Sequence, residues 1–293
     1  HLSKFKEALA GAGFDAAIVS DRLNQRYLSD FDFDDGLVLV TMKNAYLLTD
    51  FRYEEAARAQ VTEMEVVLPK GGQLDCVRSL LTDDGCTRVA FEETALSYAA
   101  YMRYCEVLKE FPVLGGASPM LDGMRLYKDD AELDAIARAQ EITDAAFAHI
   151  LGWIKPEMTE IEVALELEFF MRRNGAETVA FDTIAVSGTN SSRPHGVPRR
   201  TKLERGFLTM DFGATYEGYC SDMTRTVMIG KADEDMKKVY NTVLEAQTAA
   251  LAAYDFGKTG REIDKVARDI IYAAGYEGCF GHGLGHGVGM DIH

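Results

Sequence analysis

Two aspartates, Asp211 and Asp222, stand in a stretch that otherwise reads as half-buried β-structure, Met210-Asp211-Phe212-Gly213 through Ser221-Asp222-Met223-Thr224-Arg225-Thr226. Residues 207–213 and 218–229 are β-prone runs, and a hairpin with Tyr216-Glu217 as its loop pairs Asp211 directly with Asp222. Facing residues on an antiparallel pair have Cβ atoms about 4.5–5.5 Å apart on one side of the sheet, so two carboxylates there repel each other. A divalent ion, or two ions roughly 3.5–4 Å apart, would relieve that repulsion. The alternative is a turn aspartate beside a solvated one. Four of the six histidines, His195, His282, His286 and His293, lie downstream of residue 190 in segments punctuated by glycine or proline. Glycines at 281, 283, 285, 287 and 289 exclude a helix, so His282 and His286 are not the i, i+4 pair of a helical zinc site. In extended chain they stand roughly 13 Å apart, which lets one be a ligand while the other lines the same cleft. Two carboxylates and an imidazole suit Mn, Fe, Co or Zn. A metal pair holding hydroxide is a hydrolase arrangement, with nearby histidines stabilising developing charge. His149 falls within a helical pattern and reads as packing or surface; His1 carries no signal.

The elements that must position these groups occupy a chain of 293 residues, long enough for two domains. A net charge of −16 disfavours nucleic acid and anionic membrane surfaces as partners. No apolar run approaches the ~18–20 residues of a spanning helix. The opening His1-Leu2-Ser3-Lys4 is not a secretory signal. Five scattered cysteines without a CxxC spacing fit a reducing, cytoplasmic setting rather than a disulfide framework or a zinc cluster.

Residues 4–10, 54–60, 74–81 and 98–111 read as helices, and 14–19, 36–41, 45–49, 64–68 and 88–91 as strands, which is an α/β layered domain over 1–122. The tyrosines 98, 101 and 104 form a packing stripe. The pattern changes between Met120 and Tyr127, and a second domain spans 128–293. It opens with a long helix to about Ile154. Thr159-x-x-Glu162 and Thr259-x-x-Glu262 are capping boxes, and each begins a helix that closes before a glycine, Gly175 or Gly275. These landmarks share one offset of 100 residues, and each is preceded by a longer helical stretch (133–154 and 234–255). The pattern implies two related halves around a shared centre, with the aspartate hairpin between them.

The hairpin motif together with His282-Gly283-Leu284-Gly285-His286-Gly287-Val288-Gly289 resembles the Xaa-Pro aminopeptidase and prolidase family of metallopeptidases. Phe181-Asp182-Thr183-Ile184 and Pro194-His195-Gly196 resemble the first half of that family's catalytic domain. Asn24-Gln25-Arg26-Tyr27-Leu28 and Leu48-Thr49-Asp50-Phe51-Arg52-Tyr53 resemble its creatinase-type N-terminal domain. The resemblance implies a ribonuclease-H-like α/β N-terminal domain and an α+β pita-bread catalytic domain with an internal pseudo-twofold repeat. It implies two divalent ions, manganese first with cobalt or zinc as alternatives, on Asp211, Asp222 and His286. It assigns His195, His282 and His293 to substrate contacts, and implies proline-containing peptides as substrates and a homodimer. The family's two further ligands are glutamates beyond the last histidine motif, one of them the general base, whereas this sequence ends at His293. Three of five ligands then lie within 1–293, and the expectation is an empty or partly occupied, inactive site in this chain. The resemblance leaves two other readings: a metal-free hydrolase of the creatinase type, and a non-catalytic binding protein on the same fold.

Overall fold

The computed structural model describes residues 1–293, and the chain divides into two compact units, His1–Asp129 and Asp130–His293. The first unit runs α1 (Leu2–Gly11), β1 (Ala16–Val19), α2 (Arg22–Ser29), β2 (Gly36–Thr41), β3 (Ala45–Thr49), α3 (Glu54–Gln60), β4 (Glu65–Val67), α4 (Gln73–Asp84), β5 (Val89–Phe91), α5 (Tyr98–Val107), β6 (Val113–Gly115) and α6 (Ala117–Leu126). Its strands form one mixed sheet in the order β4-β3-β2-β1-β5-β6. β1, β2 and β3 are antiparallel neighbours, and the β3–β4, β1–β5 and β5–β6 pairs are parallel. Every residue of β1 and β3 is buried, as expected of strands covered on both faces. Leu74, Val77 and Leu81 of α4 pack with Tyr104 of α5 and Leu108 against Ile18, Leu39 and Leu48 of the sheet.

The tyrosine stripe divides on folding. Tyr104 is buried and Tyr101 stacks on Phe91 with ring centroids 5.1 Å apart, whereas Tyr98 faces solvent. The change of pattern at 120–127 falls inside or just after α6, so the sequence-based limit at 122 cuts a helix, and the units part after Asp129. The α2 helix has no counterpart in the sequence reading. It is short and polar, and is held by its N-cap Asp21 and by Glu92, whose buried carboxylate accepts from the Asp21 and Asn24 nitrogens at 2.8 and 2.7 Å.

The second unit runs α7 (Asp130–Trp153), α8 (Glu160–Arg173), β7 (Thr178–Val179), β8 (Ile184–Ser187), a 3-10 turn (Gly188–Ser192), β9 (Gly206–Phe212), β10 (Ala214–Tyr216), β11 (Tyr219–Cys220), β12 (Met223–Ile229), α9 (Glu234–Ala253) and α10 (Gly260–Ala273). Both capping boxes form, with the Thr159 and Thr259 hydroxyls accepting from the Glu162 and Glu262 N–H groups. Gly175 and Gly275 follow the two helices at φ +106° and +92°. Two small antiparallel sheets, β12-β9-β8 and β11-β10-β7, meet at the centre. One face of the larger sheet is covered by α7 and α8. Ile142, Ala146 and Ile150 join Val163, Leu167 and Met171 against Leu208, Met210, Phe212 and Met223. α9 and α10 pack on each other through Ala246, Ala250 and Ala267.

Candidate metal centre

β9 alternates strictly between buried and partly exposed positions. Leu208, Met210 and Phe212 enter the helix-covered core, and the two-residue period turns Thr209 and Asp211 to the other side of the sheet. The same side receives Ile184 and Val186 of β8, paired with Asp211 and Thr209, and Thr224 and Thr226 of β12, paired with the same two residues. Thr209 and Thr226 confirm the shared face, their hydroxyl oxygens lying 3.2 Å apart.

The register corrects the sequence reading by two residues. Tyr216 pairs with Tyr219, so the two-residue loop is Glu217-Gly218 rather than Tyr216-Glu217. Both loop residues have positive φ, +48° and +83°, as a type I′ turn requires, and glycine takes the second position at no steric cost. Asp211 therefore faces Thr224, and Asp222 falls opposite Gly213, between the Phe212–Met223 and Thr215–Cys220 pairs. A shift of two leaves side-chain parity unchanged, so the aspartates remain diagonal neighbours rather than moving to opposite faces. The crossing is tight at Gly213. A Cβ there would sit 1.9 Å from the Ser221 carbonyl oxygen and 3.1 Å from the Phe181 ring. Beneath it Ser221 Oγ lies 2.7 Å from Thr143 Oγ1 of α7 and accepts from the Ala214 N–H at 2.9 Å.

Asp211 is in an environment hostile to an isolated carboxylate. Its Oδ1 is buried without a hydrogen-bond partner. Burial pushes its carboxyl above the ordinary value, the neighbouring Asp222 adds to this, and Thr224 and the charge of His195 oppose it. Buried polar atoms are nearly always satisfied, and an orphaned carboxylate oxygen beside a second carboxylate is what a cation ligand looks like without its cation. The donor set is hard to borderline and fits a divalent ion.

The glycine-rich tail reaches this face along the hairpin. The Cys220 N–H donates to the Gly289 carbonyl at 2.7 Å, and Cys220 Sγ lies 3.5 Å from the Met290 carbonyl. That docking sets His286 Nε2 3.3 Å from Asp222 Oδ2, and the His293 ring 4.4 Å from that of His286. His195 reaches Asp211 through its charge. It follows the 3-10 turn after β8, and the next residue, Gly196, is so close to Val186 that a Cβ would fall 2.9 Å from its Cγ1. The structure thus gathers Asp211, Asp222, His286, His293 and His195 on one face. His282 is not among them. Its Nδ1 lies 2.7 Å from the Gly283 carbonyl and its ring meets Phe280 edge-on at 5.2 Å. The tail forms no strand; it is irregular throughout.

The sequence reading missed the groups that hold these segments. Glu160, the first residue of α8, is fully buried and accepts from Ser187 N and Oγ (2.7 and 2.9 Å), Asn190 Nδ2 (3.2 Å) and Arg199 N, Nε and Nη2 (2.9, 2.9 and 2.7 Å). It clamps both ends of the loop that carries His195. Burial alone would raise its carboxyl, but the hydrogen bonds from Arg199 and Ser187 outweigh it and bring the value down to about 2. Its only sequence signal is a second glutamate in a first turn where the capping box needs one.

Comparison with known proteins accords with this geometry. Residues 134–293 match the model of metallopeptidase family M24, and residues 1–127 that of the creatinase/prolidase N-terminal domain. The chain is 39% identical over its full length to the uncharacterized peptidase YqhT of Bacillus subtilis, covering 83% of that protein, and 34% identical to an Xaa-Pro dipeptidase of Pyrococcus horikoshii, covering 82%. Among solved structures, an Xaa-Pro dipeptidase from Bacillus anthracis superposes with a TM-score of 0.94 at 40% identity, over 100% of this chain and 82% of that one. An X-Pro aminopeptidase from Thermotoga maritima gives 0.90 at 38%, over 96% and 81%. The fold is that of the pita-bread peptidases behind a creatinase-type α/β domain. With two family models that together span nearly all of its residues and relatives of this identity, the chain belongs to metallopeptidase family M24.

Proposed function

We propose that the protein hydrolyses the peptide bond before proline, in Xaa-Pro dipeptides or at the N-terminus of longer peptides. The carrying observation is the buried Asp211 Oδ1, left without a hydrogen-bond donor, beside Asp222 and His286 on the open face of the central sheet. The names of the relatives, Xaa-Pro dipeptidase and X-Pro aminopeptidase, supply the substrate class. Asp211, Asp222 and His286 would hold divalent metal, for which two ions and manganese are our first choice, ahead of cobalt or zinc. Bound there, the metal would act as a Lewis acid and lower the pKa of water. Asp222 keeps the His286 ring turned towards the site, and Asp211 contributes an oxygen that has no competing donor. His195 and His293 would donate hydrogen bonds to the scissile carbonyl as charge develops on it. His282 completes the set of substrate-contacting histidines. The metal-free and binding-protein readings have no use for an orphaned carboxylate in this setting.

We further take residues 130–293 as the catalytic domain and the unit before it as the creatinase-type domain, and we propose a homodimer working in the cytoplasm. No helix is long and apolar enough to cross a membrane, and the acidic surface gives no reason to expect a nucleic-acid partner. The test is hydrolysis of Ala-Pro, Ala-Pro-Ala and Ala-Ala by the natural full-length protein after incubation with Mn²⁺. Cleavage of the proline peptides and not of Ala-Ala, lost in Asp222→Asn, supports the proposal. Equal cleavage of all three, or activity that survives the substitution, overturns it.

A further inference from the structure

The segment from Phe280 to Gly289 carries His286, which the structure sets beside Asp222, and His282, which the proposed function assigns to substrate, yet it has almost no packing of its own. A Cβ placed on Gly281, Gly283, Gly285 or Gly287 would meet no atom within 4 Å. Leu284 alone packs into the α9–α10 cluster, and with glycines on both sides of it the segment keeps its path chiefly where its backbone is tied. One tie is the Cys220 N–H to the Gly289 carbonyl. The others come from α10. Asp264 and Arg268, one helical turn apart, pair through Nε–Oδ2 at 2.8 Å and Nη2–Oδ1 at 3.0 Å. The same guanidinium donates from Nη1 to the Phe280 carbonyl at 2.6 Å and from Nη2 to the His282 carbonyl at 2.9 Å. It also stacks 4.5 Å above the Phe280 ring. Asp264 Oδ1 in turn accepts the Leu284 N–H at 2.9 Å. The pair thus grips three backbone groups on either side of the His282 side chain.

The bond pattern requires arginine. Three nitrogens of one planar fork are used at once, two on Asp264 and two on carbonyls, with Nη2 serving both. A lysine ammonium has no fixed fork and cannot span the same acceptors. An isolated i, i+4 ion pair on a helix surface does little for stability. This one does more than staple its own helix: besides a bond from Arg268 Nη1 to the Tyr272 hydroxyl at 3.3 Å, its donors and its acceptor reach the histidine segment.

We infer that Asp264 and Arg268 are positioning residues that act on catalysis through His282, by fixing the backbone from which its imidazole projects. The inference rests on the reading of His282 as a substrate-contacting group. A displacement of about 1 Å in such a group is enough to cost roughly 100-fold in rate.

The test is a double-substitution cycle on the natural full-length protein with Mn²⁺, reading kcat/KM for Ala-Pro. Arg268→Ala is expected to lose at least about 10-fold alone and no more than about 2-fold in a His282→Ala background, with Arg268→Lys as impaired as Arg268→Ala. Equal losses in both backgrounds, or full rescue by lysine, overturn the inference. A second readout needs no turnover. In ¹H–¹³C spectra the His282 Cε1–Hε1 signal should shift or broaden in Arg268→Ala while that of His149, packed between α7 and α8, stays fixed. An unchanged His282 signal overturns the inference. If the wild type cleaves no Xaa-Pro peptide, the proposed function falls and the spectra alone decide the positioning role. Should Arg268→Ala fail to fold by circular dichroism, Asp264→Asn, which keeps the side-chain volume and one acceptor, replaces it in both experiments with the same criteria.

Discussion

Glu160→Gln removes one charge from the centre of the His195 loop and changes almost nothing in volume. In the native protein six donors converge on this carboxylate, three of them from Arg199. The amide cannot accept on both sides, so one set of donors meets an NH₂ group, and Arg199 keeps only the partly exposed Glu204, 3.1 Å from its Nη2, as counter-charge. Losing one partner of a buried pair typically costs about 3–5 kcal/mol. Linkage gives an independent figure. A glutamate brought from its ordinary 4.5 down to about 2 by folding stabilises the native state by about 3 kcal/mol at neutral pH. The sign follows from the direction of the shift: the contribution is fully present above 4.5 and is lost as pH falls towards 2. At pH 3 about 1 kcal/mol should remain. Guanidinium unfolding of wild type and Glu160→Gln at pH 7, 5, 4 and 3 measures this directly. The gap in unfolding free energy should be about 3 kcal/mol at pH 7 and narrow by about 2 kcal/mol at pH 3. A gap below about 1 kcal/mol at pH 7, or one that does not change with pH, would refute the assignment of Glu160 as an ionised anchor.

Three further outcomes are expected. Gly213→Ala drives a Cβ to 1.9 Å from the Ser221 carbonyl oxygen, and should cost at least about 4 kcal/mol or prevent soluble expression, seen by thermal unfolding. Asp211→Asn relieves a carboxylate whose buried Oδ1 has no hydrogen-bond partner, so the metal-free protein should melt no lower than wild type. The same variant should lose the rise in melting temperature that Mn²⁺ gives the full-length protein, a rise worth about 3 kcal/mol at a hundred times Kd. Glu217 holds a left-handed conformation at φ +48°, so Glu217→Asn should stabilise the hairpin by about 0.5–1 kcal/mol in chemical denaturation, and a loss of stability would argue against the type I′ turn.

Local signals in the sequence were legible because their physics is local. The two capping boxes and the glycines after them are read within one helical turn, and all of them form. The strands at 36–41 and 45–49 and the helix at 54–60 fall where alternation and composition put them. The hairpin register was misread because Tyr216-Glu217 and Glu217-Gly218 differ only in where positive φ is needed, and glycine settles it for the second. Parity survived the error, so the aspartates kept a common face. The α2 and α6 helices escaped because neither shows a clean apolar stripe; α2 is fixed by Glu92, some seventy residues away in sequence. Glu160 with Arg199, and Asp264 with the 280–284 backbone, are long-range pairings that no window of sequence contains.

The strict alternation of β9 has one more consequence. A single strand is shared between two kinds of selection. Changes at Leu208, Met210 and Phe212 are answered in folding yield, whereas changes at Thr209, Asp211 and their neighbours Ile184 and Thr226 are answered in chemistry. A library restricted to Thr209, Ile184 and Thr226, leaving the fully buried Val186 alone, could therefore remodel the substrate side of this sheet without drawing on the stability of the core that supports it.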